Sequence, residues 1–271
     1  EILFPRNISC IFCSMPISRQ NAYSICRECF ENMEFIKEIC TNCGRTGEHS
    51  RLCTFCHGDR YYFDRVYSIL KYNDFMHGKI YGYKYGHRNY LSRYFAQMAN
   101  DFIKANSLNY DFVTGVPISR KRMRSRGFNQ TYAIAEKLDE SEKYIELFER
   151  KRHTAFLSRL SDSQRKSEIK GAFDIRAESL DIMLEKFYSD KDRVFPEKKL
   201  RILIFDDIFT TGTTMNELAS LLKKRIADVE VSCLTLCNAR IMHKNETKKS
   251  ASDPNYVSLN QNKYFKLFFN L

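Results

Sequence analysis

Eight of the chain's ten cysteines fall within its first 56 residues, and they fall in pairs. Cys10/Cys13, Cys26/Cys29, Cys40/Cys43 and Cys53/Cys56 are four Cys-x-x-Cys units separated by 12, 10 and 9 residues. A two-residue spacer lets both sulfurs of a pair turn toward one ion, and two such knuckles complete a tetrahedral thiolate site. Four pairs therefore supply two closed Zn2+ sites. With four sulfurs each, they have no open position for water and are structural rather than catalytic. First-with-second and third-with-fourth pairing gives two tandem ribbons; interleaved pairing uses the same eight sulfurs. The competing framework, disulfides, requires an oxidising compartment. So short a segment with few large aliphatic residues cannot fold on a core alone. Metal binding supplies the difference, roughly 10–16 kcal/mol per site in zinc-finger peptides. With eight sulfurs in place, His49 and His57 read as surface residues.

The remaining chain has a different character. At 271 residues and 32.1 kDa the whole is long enough for two domains, given a prior of about 150 residues each. We divide it as a double zinc ribbon over 1–60, an α/β domain over 61–240 and a partly disordered tail over 241–271. No apolar run approaches the roughly 18 residues that span a bilayer. The stretch from Glu1 to Arg6 lacks a signal peptide's basic end and long apolar segment. These features predict no membrane insertion and a cytoplasmic protein.

Within the second region, Asp111–Val116 reads as a short strand and Thr131–Leu138 as a helix. Leu200–Phe205 is mostly apolar, as a strand buried on both faces is. Met215–Ile226 has helical apolar spacing, and Val229–Leu236 is a further strand. Strand, loop, helix and strand make a βαβ unit with a parallel sheet. Cys233 and Cys237, in or beside the last strand, pack as small hydrophobes.

The first strand's end carries the chemistry. Asp206 and Asp207 sit where open α/β sheets bind ligands. Thr210, Thr211, Gly212, Thr213 and Thr214 follow, ahead of a helix. Amides, hydroxyls and the helix dipole bind phosphate there, and glycine lets the backbone approach. Two carboxylates beside them accept hydrogen bonds from vicinal ribose hydroxyls. Together they describe a ribose 5-phosphate site.

This stretch resembles the signature of type I phosphoribosyltransferases, which bind 5-phosphoribosyl 1-pyrophosphate (PRPP). Over roughly residues 8–240 the chain is similar to the ComF family. The four cysteine pairs, the run Val116-Pro117-Ile118-Ser119, the run from Arg126 to Gln130, and Tyr81–Gly86 with Lys84 carry the likeness. The resemblance implies a zinc ribbon ahead of a phosphoribosyltransferase-like α/β domain. It implies ribose contacts from Asp206 and Asp207, directly or through Mg2+ delivered with PRPP, and a 5-phosphate cradle at Thr210–Thr214. It further implies a pyrophosphate loop at Val116–Ser119, with Lys84, Arg120 and Lys121 as cationic candidates. Arg150–Phe173 resembles the family's mobile hood, where the family's Gln and Asn punctuation is replaced by Leu157 and Glu168. His153 and Glu168 are the candidate bases in it.

Charge adds a third element. The chain carries 44 Lys and Arg against 33 Asp and Glu, a net +11. The first 60 residues are neutral, and 61–240 hold 32 basic against 24 acidic side chains. A basic body favours phosphate-bearing partners. Five positive charges crowd Arg120–Arg126, and tyrosines recur from Tyr61 to Tyr90. Basic residues with aromatic platforms suit single-stranded DNA, which makes Arg122, Arg124 and Arg126 candidate contacts. The resemblance implies a competence factor handling incoming DNA during natural transformation, with the helicase ComFA as partner. The alternative is an active phosphoribosyltransferase of nucleotide metabolism.

Overall fold

A computed structural model describes residues 8–18, 21–46, 61–138, 141–152, 162–189, 199–239 and 256–258. Its centre is a four-stranded parallel sheet: β2 (Arg65–Lys71), β7 (Val229–Asn238), β6 (Leu200–Phe209) and β3 (Phe112–Gly115), in that spatial order. The expected βαβ unit is present as β6, α8 (Thr213–Arg225) and β7. Its strands are apolar and buried because helices cover both faces of a parallel sheet.

Strand β6 runs further than its apolar segment. Asp206, Ile208 and Phe209 stay in register with Thr235, Cys237 and Asn238 of β7, so the two acids lie within the strand's last residues rather than after it. Cys233 and Cys237 are fully buried in β7, as expected. The segment expected as a helix over Thr131–Leu138 is a single turn, α5 (Tyr132–Ala135).

Two helices prepare the site from the other side. Helix α2 (Asp74–Tyr85) begins at Asn73, whose side chain accepts from the Met76 N–H at 2.9 Å. Helix α3 (Leu91–Ala105) buries Phe95, Ala99 and Phe102 in the core. Beyond the sheet, β4 (Phe148–Arg150) and β5 (Phe173–Ile175) form an antiparallel pair, with α6 (Asp162–Ile169) before β5 and α7 (Ala177–Ser189) after it.

The cysteine-rich region shares this core rather than standing apart. Phe12, Ile25, Phe30 and Ile36 pack in one cluster with Leu70, Phe95 and Leu203. The Tyr23 hydroxyl donates to Asp101 of α3 at 2.7 Å. The Ile36 N–H donates to the Ile69 carbonyl at 2.9 Å. From the expected tail, β8 (Tyr256–Ser258) pairs antiparallel with β1 (Glu38–Cys40) of the ribbon region. Among the described residues, no helix is long and apolar enough to cross a membrane.

Candidate functional site

The sulfurs of Cys10, Cys13, Cys26 and Cys29 all lie within 4.8 Å of one another, with Cys13 and Cys26 at 3.6 Å. A tetrahedral zinc with Zn–S of about 2.3 Å needs sulfurs about 3.8 Å apart, so this donor set fits one zinc. The first pair joins the second, which selects sequential over interleaved pairing for this site. Cys40 and Cys43 repeat the first knuckle's turn. The N–H of Ser14 donates to Cys10 O and that of Gly44 to Cys40 O, both at 2.8 Å. Their expected partners Cys53 and Cys56, with His49 and His57, lie outside the described residues.

At the sheet's C-terminal edge, a pocket is lined by Asp206 and by Phe209 through Met215. It contains all five residues of the expected phosphate cradle. Gly212 caps α8 in the left-handed region (φ 75°). A side chain there would strike Phe209, since a Cβ would stand 2.8 Å from its Cζ. Thr211 and Thr213 hydroxyls bond each other at 2.7 Å.

The two acids differ sharply. Asp207 is 4% exposed, and Lys84 from α2 places Nζ 2.8 Å from its Oδ2. That approach is ionic rather than an aligned hydrogen bond: Oδ2 has no donor at hydrogen-bonding angle. Asp206 accepts from the Asp207 N–H at 2.8 Å. Burial, then the neighbouring Asp207, pushes its carboxyl up to about 7, against the pull of Lys84 and Arg150.

Two arginines interact electrostatically with this pair. Burial lowers the Arg122 guanidinium, with Arg126 adding to it, while Asp207 and Asp206 oppose. Burial holds Arg150 down to about 10, with Arg122 as the next cause and Asp206 opposing. Arg122, expected on a nucleic-acid surface, thus sits in the electrostatic field of the two acids. Arg150 was not singled out for the site by sequence, because only the fold brings β4 to this edge.

The Arg126–Gln130 stretch acquires a role that its sequence did not disclose. Asn129 Nδ2 and Thr131 Oγ1 donate to the Val116 carbonyl at 3.2 and 2.6 Å, which props the Val116–Ser119 loop. Arg126, expected as a DNA contact, is 8% exposed and donates to Gln130 Oε1 at 2.7 Å and to the Tyr85 hydroxyl at 2.8 Å, so its guanidinium is engaged inside the fold. Arg120 and Arg124 are exposed. Lys84, expected on pyrophosphate, is committed to Asp207. Glu168 pairs with Arg152, at 3.8 Å, while His153 and Leu157 lie outside the described residues.

The tyrosines also divide. Tyr83 is fully buried and donates to the Gln130 carbonyl at 2.8 Å. Two residues to either side, on the opposite face of the helix, Tyr81 and Tyr85 are 60% and 38% exposed. Ring centroids step from Tyr72 to His77 (5.8 Å), to Tyr81 (6.4 Å) and to Tyr85 (5.1 Å), and the Arg126 guanidinium closes the row 4.8 Å from Tyr85.

Comparison with known proteins agrees with this anatomy. Residues 1–57 match the double zinc ribbon domain. Competence protein ComFC of Streptococcus pneumoniae is 30% identical over 218 residues, covering 79% of this chain and 87% of that protein. The chain belongs to the ComF family. Other relatives include DNA utilization protein YhgH of Escherichia coli, 27% identical over 83% of this chain and 95% of that protein. A further ComFC, from Bacillus subtilis, is 24% identical over 78% and 83%. A solved Trypanosoma cruzi hypoxanthine phosphoribosyl transferase aligns over 68% of this chain and 92% of its own, at 13% identity and a TM-score of only 0.24. For this ComF chain, the zinc-ribbon and parallel α/β expectations hold.

Proposed function

We propose that this ComF-family chain binds PRPP at the end of β6 and handles single-stranded DNA along the neighbouring exposed face of α2. The observation that carries the first half is the pocket formed by Asp206 and Phe209–Met215. Loop amides and the α8 dipole would receive the 5-phosphate. Asp206 and Asp207 would accept the ribose hydroxyls. Arg122 and Arg150, whose charges interact with the two acids, would be the pyrophosphate cations, since Lys84 pairs with Asp207. The carboxylate pair offers the hard oxygen donors that Mg2+ takes. Magnesium would arrive on the pyrophosphate and neutralise that leaving group.

The row Tyr72–His77–Tyr81–Tyr85 supports the DNA half. The exposed faces of such rings would accept bases without reading sequence. The names of the relatives, competence and DNA utilization, agree with it. The ribbons are then the docking module for a helicase partner, and that complex would be lost on chelation.

Calorimetric titration of Mg2+·PRPP into the zinc-loaded chain tests the site, with Asp206→Asn/Asp207→Asn as control. Saturable binding lost in the double variant supports it; no binding at millimolar ligand overturns it. Phosphoribosyl transfer is the second reading. It predicts pyrophosphate release that requires Mg2+, an acceptor and both acids.

A further inference from the structure

Ser14 and Gly44 occupy the same place in two copies of one turn. Each follows the second cysteine of a pair and donates its N–H to the first cysteine's carbonyl at 2.8 Å. Each has positive φ, 65° at Ser14 and 73° at Gly44. Ser14 shows that the turn itself admits a side chain. Glycine at position 44 therefore answers to something outside the turn.

That something is Phe209. A Cβ on Gly44 would stand 2.3 Å from its Cε1 and 2.8 Å from its Cζ. The same ring lies against the phosphate loop, where a Cβ on Gly212 would stand 2.8 Å from Cζ and 3.0 Å from Cε2. Phe209 is the last residue of β6 and is 1% exposed. Phe63 closes on it edge-to-face at 6.5 Å. The knuckle is pinned from the sheet as well. Buried Asn238, the register partner of Phe209, donates Nδ2 to the Gly44 carbonyl at 2.7 Å. One ring is thus held between a glycine of the cysteine region and a glycine of the loop. Close-packed interiors transmit such displacements instead of absorbing them.

We propose that Phe209 is a positioning residue through which the Cys40/Cys43 knuckle sets the place of the Thr210–Thr214 loop. The inference rests on the reading of that loop as a phosphate cradle. Its consequence is that ligand affinity at the sheet edge depends on how the ribbon region is seated.

Gly44→Ser in the zinc-loaded full chain gives the test. It installs the residue that the equivalent turn already holds, and its side chain collides with Phe209. Amide resonances of Gly212 and Thr213 should move without ligand, and Mg2+·PRPP affinity should fall roughly tenfold, the scale of a sub-ångström misplacement. Adding Phe209→Leu should relieve the collision, so that the double variant departs from wild type no further than Phe209→Leu alone. Two unrelated lesions would add instead of cancelling. A folded Gly44→Ser protein with unmoved loop resonances overturns the proposal, as does a double variant worse than either single. If Gly44→Ser does not fold, Phe209→Leu alone must shift the loop resonances, and unmoved resonances again overturn it. If wild type binds no PRPP while the resonances respond and recover, the phosphate reading fails and the positioning role stands.

Discussion

Lys84 and Asp207 bind the helical layer to the sheet through one contact: Nζ lies 2.8 Å from Oδ2, with the side chains 16% and 6% exposed. Removing one partner of a buried pair strands the other charge, at a cost of roughly 3–5 kcal/mol. Lys84→Met should therefore lower stability to urea by about that amount. Lys84→Met/Asp207→Asn should recover most of it, because no charge is then left unpaired. Equal losses in the single and double variants would show that the pair contributes little beyond packing.

Asp206 gives the site a pH dependence of predictable sign. Its folded carboxyl is raised to about 7 from 3.8, by burial first and Asp207 second. The folded state thus holds a proton that the unfolded state has released. Stability contributed by this group is full below the unfolded value and is lost as pH rises through about 7. Asp206→Asn should flatten that decline and stabilise the chain at about pH 8, at ~1.4 kcal/mol per pKa unit as an upper scale. Ligand binding should run oppositely, since ribose hydroxyls need an ionised acceptor: PRPP affinity should rise from about pH 6 to about pH 8. Thermal melts and calorimetry across that range check both signs.

How far the sequence reached depended on whether a property is local. The cysteine spacing and the Thr210–Thr214 loop after an apolar strand are local; the first two cysteine pairs form one cluster, and the loop follows its strand into a helix. The length of β6 is not local. Asp206 through Phe209 remain in the strand because β7 continues to Asn238 and supplies their partners, which strand propensity does not register. Charge does not register burial at Arg126: its five-in-seven context reads as a basic surface, yet Tyr85 and Gln130 hold its guanidinium inside. Arg150 belongs to a strand that only tertiary contact brings near the acids. Tyr81 and Tyr83 are two residues apart on one helix, and one is exposed while the other is buried. The weak period of α2, with glycines at 78 and 82, left that face undetermined.

The ribbon cysteines should report zinc one site at a time. Cys13→Ser removes a ligand from the cluster in which all four sulfurs lie within 4.8 Å. Zinc content should fall from two per chain to one, measured by chelator-dye release under denaturing conditions. The core should suffer too, since Phe12, Ile25 and Phe30 pack with Phe95 and Leu203. Zinc stripping should thus lower the melting temperature of the sheet as well as unfold the ribbons. A sheet that melts unchanged after chelation would mean that the shared cluster contributes nothing to cooperativity.

On the proposed DNA reading, the row of rings along α2 and the arginines on α4 (Arg120–Arg126) would make separable demands. Stacking contributes ~1–3 kcal/mol per base and depends little on salt. A phosphate contact contributes mainly through counterion release, about 0.7 in log–log salt slope for a single strand. Tyr81, 60% exposed and 5.1 Å from the Tyr85 ring, is more accessible than Tyr85 at 38%. Tyr81→Ala should weaken binding of a labelled oligo-dT roughly tenfold at fixed salt, with the slope unchanged and with rescue by Tyr81→Phe. Arg124→Ala should reduce the slope by about 0.7 while sparing the stacking signal. Arg126→Lys should act differently from both, because its guanidinium is bonded inside the fold. It should lower stability and move the α2 rings, changing affinity without a matching change in slope. Anisotropy titrations at several salt concentrations read all three patterns, and a Tyr81→Ala protein that binds as wild type would remove the row from the DNA path.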